Sequence, residues 1–207
     1  MTKLDTITCS DCRDWLKTIP DDSVDACVTD PPYDHKSWHL YQWLFTNIGR
    51  VLRPGGSLLA IMPHWAVGKI EQEMPPPLRF RWLLAMWQGM SRRAQLCGIG
   101  VQVTWKPILW AVKGTRPTRG TKLVPDGFAS KPSDLTKGHH KWEQPISWAT
   151  YCLKFVTPGG TVLDPLAGSG TVCVAAIQEG FHFLACEKDQ GYVNIAQARI
   201  EATERKS

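Results

Sequence analysis

No apolar run in this 207-residue chain is long enough to cross a bilayer; stretches such as Leu58 to Met62 end after a few residues. Met1 to Ser10 is polar and holds no leader-like apolar segment. Both absences speak against a membrane association and point to the cytoplasm. A disulfide framework is lacking too: the seven cysteines are odd in number and scattered, so reduced thiols are expected. Cys9-x-x-Cys12 and His35-x-x-x-His39 imitate a zinc spacing, but a long and distinctive turn lies between them, and no metal is expected. There is no internal repeat. The hydrophobic share of 43% and charged share of 21% exclude a disordered, fibrous or coiled-coil protein. A single domain over 1–207, with a core of its own, is the expectation.

What is present is uneven in charge. The net charge is +5, yet residues 1 to 34 hold eight acids against three bases. Residues 106 to 141 hold eight bases, Lys106, Lys113, Arg116, Arg119, Lys122, Lys131, Lys137 and Lys141, against Asp126 and Asp134. Trp105, Trp110, Phe128 and Trp142 lie in or beside that segment, and the chain has ten tryptophans in all. A basic segment interleaved with aromatics suits a polyanion carrying stackable bases. It equally suits a solvated loop that keeps a protein soluble.

Periodicity predicts short buried strands alternating with helices. Strands are expected over Val24 to Thr29, Ser57 to Met62, Phe80 to Trp87, Ile108 to Val112, Thr161 to Asp164 and Phe181 to Glu187. Helices are expected over Asp14 to Ile19, Trp38 to Leu52, Pro145 to Phe155, Thr171 to Glu179 and Tyr192 to Ala202. Gly114 to His140 shows no period and reads as one long loop. The alternation implies an α/β fold with a mostly parallel sheet covered on both faces.

Two turns carry candidate chemistry. Asp164-Pro-Leu-Ala-Gly-Ser-Gly-Thr171 lies between a strand and a helix, where glycines let a ligand approach the backbone. No Lys precedes its Ser or Thr, so it is not a phosphate-binding P-loop. Glu187 ends the next strand, where an acid suits ribose hydroxyls; the pair fits an adenosine-containing cofactor, or else a tight turn plus a surface acid. The second turn is Asp30-Pro31-Pro32-Tyr33, where a strand must stop because proline cannot donate to a sheet. A carboxylate, rigid carbonyls and an aromatic face could hold a planar amine; a merely rigid turn is the plainer alternative.

Together the turns resemble the amino-methyltransferases of DNA, in the β-type order that puts the catalytic motif before the cofactor motif. The flanks resemble that family too: Asp11-Cys12, Asp22-Ser-Val-Asp-Ala-Cys-Val-Thr29, Arg50-Val-Leu-Arg-Pro-Gly-Gly56, Glu143-Gln144-Pro145, and Tyr192-Val with Ala196 and Ala198-Arg199-Ile200. The sequence departs from the family pattern at Gln144, where Lys is usual, and at Leu166, where Phe is usual. The resemblance covers roughly 4–62 and 140–200.

The resemblance implies a Rossmann-like fold and S-adenosyl-L-methionine as cofactor. It implies methylation of an exocyclic amine in double-stranded DNA, adenine N6 over cytosine N4, since Asp rather than Ser precedes Pro-Pro-Tyr; the alternatives are an N4-cytosine DNA or RNA methyltransferase and a catalytically silent nucleic-acid-binding module. Asp30 and the Pro31 carbonyl would accept the amine hydrogens, and Tyr33 would stack on a flipped-out base. Cofactor contacts would come from Asp11, Cys12, Glu143, Gln144, Pro145, Asp164, Pro165, Ala167, Gly168, Ser169, Gly170, Thr171 and Glu187. DNA contacts would come from Trp38, Lys106, Lys113, Arg116, Arg119, Lys122, His140 and Lys141, with 106–142 as a variable recognition insertion. A short middle implies loose specificity or recognition shared with a second subunit; a homodimer and a restriction partner are both compatible with it.

Overall fold

The computed structural model describes residues 3–88, 100–116, 123–130 and 144–204. The sheet among these residues has eight strands: β1 (Thr6–Cys9), β2 (Val24–Thr29), β3 (Leu52–Ile61), β4 (Leu78–Trp87), β5 (Trp105–Lys113), β6 (Gly127–Ala129), β7 (Thr161–Asp164) and β8 (His182–Glu187). Their order is β1-β8-β7-β2-β3-β5-β4-β6. β5 alone runs against the rest, pairing antiparallel with β3 and β4. The helices are α1 (Cys12–Trp15), α2 (Trp38–Val51), α3 (Val67–Gln72), α4 (Ile146–Leu153), α5 (Thr171–Gln178) and α6 (Gln190–Glu201). No helix of the described residues is long and apolar enough to cross a membrane.

The apolar strand runs follow from burial on both faces. On β3, Leu59 and Ile61 join the cluster of Trp148, Val172, Ala176 and Phe183, whereas Leu58 and Ala60 join that of Leu44, Phe45 and Ile48. α2 buries a helical stripe of Tyr41, Leu44, Phe45, Ile48 and Val51 against the second face. Arg50, on its last turn, donates to the carbonyls of Leu16 and Ile19, which ties the end of α1 down.

The two turns meet because of the winding. From β7 the chain crosses through α5 to β8 on one side; from β2 it crosses through α2 to β3 on the other. The crevice between β7 and β2 is therefore a topological switch point, the usual ligand site of an open parallel sheet.

Two expectations needed revision. β3 begins at Leu52, ahead of Pro54-Gly55-Gly56, because Leu52 still pairs with Val24 before the register shifts and resumes at Ala26 with Ser57. The strand expected over Ile108 to Val112 stands as β5, longer at both ends and lodged between β3 and β4. Gly127–Ala129, within the stretch expected to be one long loop, forms β6 and pairs with Ala85 to Trp87 of β4. β1, α3 and β6 gave no clear periodic signal, being short and half-exposed.

Candidate active site

A cavity of about 810 Å³ opens at the switch point. Asp11, Cys12, Asp30, Pro31, Pro32, Tyr33, Pro165, Gly168 and Glu187 all line it, joined by Leu166, Asp189 and Tyr192. Its size matches a cofactor-scale ligand.

The glycine-rich turn is built for close approach. Gly168 has φ +52°, and a Cβ there would meet nothing within 4 Å. Its amide donates to Glu187 Oε2 at 3.0 Å, while Asp189 N donates to Glu187 Oε1 at 2.9 Å. These bonds aim the carboxylate and leave each oxygen a further acceptor site. Gly170 serves a different end: its φ is +81°, and a Cβ would lie 2.9 Å from the Ala196 Cβ on α6. Gly170→Ala combines backbone strain with an overlap against a helix, and is expected to cost about 2–4 kcal/mol, measurable by chemical denaturation.

Sequence reasoning saw Arg199 only as part of a helix pattern. Its guanidinium donates to the Ser169 carbonyl at 2.7 Å and to Ser169 Oγ at 2.9 Å, pinning the turn from α6. Asp164 is buried under the turn and accepts from Leu166 N at 3.1 Å. Burial pushes its carboxyl up to about 7, and the charges of Asp30 and Glu187 add to this. Asp11 caps α1 and pairs with Arg13 at 2.6 Å, and that guanidinium holds its carboxyl down at about 2. Ala167, Ser169 and Thr171 are buried beneath the cavity rather than lining it.

At the other end, the Asp30 carboxylate is doubly held. Tyr33 Oη donates to Oδ1, and Gln144 Nε2 donates to Oδ2 at 2.6 Å. Burial, reinforced by the Asp30 charge, keeps the Tyr33 phenol well above its ordinary pKa, so it stays a donor. Tyr41 Oη donates to the Pro32 carbonyl at 2.7 Å and stands 3.5 Å from that of Pro31. The Pro31 carbonyl thus keeps capacity for a further donor. Trp65 Nε1 donates to the Tyr33 carbonyl at 3.1 Å, and His35 stacks on Trp65 with ring centroids 4.1 Å apart. Trp38 meets Trp65 edge-on and carries Lys69 over its ring, so it does lie beside the catalytic turn.

The proposed DNA contacts do not stay together. β5 runs antiparallel, so Lys106 at its start reaches Tyr33 Oη at 3.3 Å. Lys113 at its end lies roughly 23 Å along the strand, paired with Asp22 at 2.6 Å and the Arg50 carbonyl at 3.0 Å. Arg116 donates to Ser57 Oγ at 2.7 Å and to the Phe155 carbonyl. Lys113 and Arg116 therefore stand at the end of β5 away from the Asp30–Tyr33 turn, bound within the chain. Gln144 is placed against Asp30, and Pro145 caps α4. Glu143, Arg119, Lys122, His140 and Lys141 lie outside the described residues.

A family model described as DNA methylase, of the N6/N4 type, matches residues 24–198. The chain belongs to this DNA methylase family. The match takes in both turns of the cavity. Among relatives, YubD of Escherichia coli (strain K12) is 26% identical over 213 residues, covering 94% of this chain and 89% of YubD. Among solved structures, the M1.HpyAVI–SAM complex superposes with a TM-score of 0.78 at 20% identity, covering 94% of this methylase and 98% of that chain. The PvuII DNA methyltransferase, cytosine-N4-specific, superposes with a TM-score of 0.79 at 14% identity, covering 96% and 87%. At such identities the likeness of this methylase to the two structures is one of fold.

Proposed function

We propose that this methylase transfers a methyl group from S-adenosyl-L-methionine to the N6 amine of an adenine flipped out of double-stranded DNA. The observation that carries the reading is the convergence of Asp30–Tyr33 and the glycine-rich turn on one cavity at the switch point.

The cavity's chemistry suits the cofactor. Gly168 presents backbone without a side chain, and Glu187 offers acceptors for ribose hydroxyls; we assign Asp164, buried under the turn, to the support of the methionine side. When bound, the cofactor supplies an electrophilic methyl group on a sulfonium. Asp11, Cys12, Pro165 and Gly168 to Thr171 line or support that end of the cavity.

The acceptor end must cope with a poor nucleophile, because an aromatic amine's lone pair is delocalised into its ring. Asp30 Oδ1 and the Pro31 carbonyl accept the two amine hydrogens and draw the lone pair out of conjugation. The amine must displace the Tyr33 hydroxyl from Oδ1, which frees the ring to stack on the base. Stacking returns roughly 1–3 kcal/mol against the cost of unpairing. Asp30 would take up the proton that leaves the nitrogen, and it need not be a strong base, because the amine turns acidic only as the methyl arrives. Positioning and fixed charges carry the rate.

By the resemblance to the family, Asp before Pro-Pro-Tyr favours adenine. The second reading is N4 of cytosine by the same chemistry, because the family model that matches the chain spans both N6 and N4. Labelled S-adenosyl-L-methionine, unmethylated genomic DNA and nucleoside mass spectrometry decide between them. N6-methyladenine is the expected product. N4-methylcytosine would keep the mechanism and change the base, and a product on RNA alone would overturn the substrate.

A further inference from the structure

We propose that Gln144 and Lys106 are positioning residues that set the acceptor face of Asp30. The inference rests on the methyl-transfer reading above and adds to its machinery.

Asp30, Tyr33, Lys106 and Gln144 form a closed ring of hydrogen bonds. Gln144 Nε2 donates to Asp30 Oδ2 at 2.6 Å, and Gln144 Oε1 accepts from Lys106 Nζ at 3.1 Å. Lys106 Nζ also donates to Tyr33 Oη at 3.3 Å and lies 5.0 Å from the centre of the Tyr33 ring. Tyr33 Oη closes the ring on Asp30 Oδ1.

The ring has a logic in donors and acceptors. A carboxamide can present either its oxygen or its NH2 to a neighbour. An ammonium facing the oxygen settles the choice, because it has only hydrogens to offer. Lys106 therefore turns the Gln144 NH2 toward Asp30, where it must donate. The side-chain torsions of Asp30 are fixed by that bond while Oδ1 exchanges the Tyr33 hydroxyl for the substrate amine. Oδ2 stays with Gln144 throughout.

Neither residue lines the cofactor end of the cavity. This separates Gln144 from the cofactor role its motif position implied. It separates Lys106 from a purely phosphate-binding role, since its ammonium is turned inward on the catalytic turn.

The test compares wild type with Gln144→Ala, Gln144→Glu, Lys106→Met, and Lys106→Met combined with Gln144→Lys. Single-turnover rate, cofactor affinity, DNA KM and the pH profile of kcat are measured for each. Gln144→Ala and Lys106→Met are expected to lower the single-turnover rate about 10- to 100-fold. Cofactor affinity and DNA KM should stay at wild-type values. In Gln144→Ala the acidic limb of the profile should move to higher pH, because the ionised Asp30 has lost a donor. The double variant returns an ammonium directly to Asp30 and should recover part of the rate.

If Gln144→Ala does not fold, Gln144→Glu, nearly equal in size, carries the test. Its deficit should be deepest at alkaline pH, where two carboxylates face each other, and shrink as the new acid takes a proton. Undiminished rates in an active protein would overturn the inference alone. A fall in cofactor affinity parallel to the rate would return Gln144 to the cofactor site. A rise in DNA KM with kcat unchanged would make Lys106 a phosphate contact. An inactive wild type would overturn the functional reading, and this inference with it.

Discussion

Asp30→Ala is expected to lower methyl transfer about 10³-fold or more, with cofactor affinity held at the wild-type value. The substitution removes the acceptor that draws the amine's lone pair toward the methyl group. It also leaves the Tyr33 hydroxyl and the Gln144 NH2 without the carboxylate they share. Cofactor affinity should survive because the glycine-rich turn is held by other bonds, from Glu187, Arg199 and the Cys186 carbonyl. Two measurements check this: single-turnover transfer to DNA, and calorimetric titration with the cofactor. Asp30→Asn is the sharper variant. Its size is unchanged, but one of its two polar atoms is now a donor, which faces the amine hydrogens wrongly. Turnover near wild type in either variant would remove Asp30 from the mechanism.

Asp164→Asn is expected to raise stability at neutral and alkaline pH while weakening cofactor binding. Burial holds the Asp164 carboxyl at about 7, above its ordinary value of 3.8. Between those values the native state keeps a proton that the unfolded chain gives up. Stability from this group is therefore highest at acid pH and falls as pH rises from about 4 to about 7. Above that window the penalty is constant and amounts to a few kcal/mol. Asparagine carries no charge to desolvate, so the variant should lose this decline and melt higher at alkaline pH. Wild type and variant should converge toward acid pH, where both side chains are neutral. Binding should move the other way, because the proposed reading gives Asp164 a role on the methionine side of the cofactor. A stability cost carried by a ligand-binding group is a common trade. Melting curves across pH, with cofactor titrations at alkaline pH, check both halves. A variant with the wild-type pH dependence would place the titration on another group.

Much of the fold was legible in the chain. Val24–Thr29 and Thr161–Asp164 stand in the structure where the apolar runs put them, because strands buried on both faces have no reason to alternate. α2 was legible because Leu44, Ile48 and Val51 keep a helical period until the backbone turns extended at Leu52. β1 and β6 were not legible. Each is short and sits at an outer edge of the sheet, where half-exposed residues show little pattern.

The site divides in the same way. The two turns were readable because their geometry is local: proline ends a strand, glycine leaves the backbone bare, and an acid closes the next strand beside it. Sequence order alone also held the family resemblance. Partnerships across long separations were not readable. Gln144 meets Asp30 from 114 residues away, and Arg199 meets Ser169 from the far side of β8. Lys106 and Lys113 look alike in a basic segment, but they stand at opposite ends of β5, and its antiparallel direction decides which of them meets Tyr33. The sequence by itself determined the strand–helix alternation and both turns, since each is decided by neighbours along the chain. Only the tertiary structure decided which distant side chains share a hydrogen bond, because that depends on strand order and direction, which no local pattern encodes.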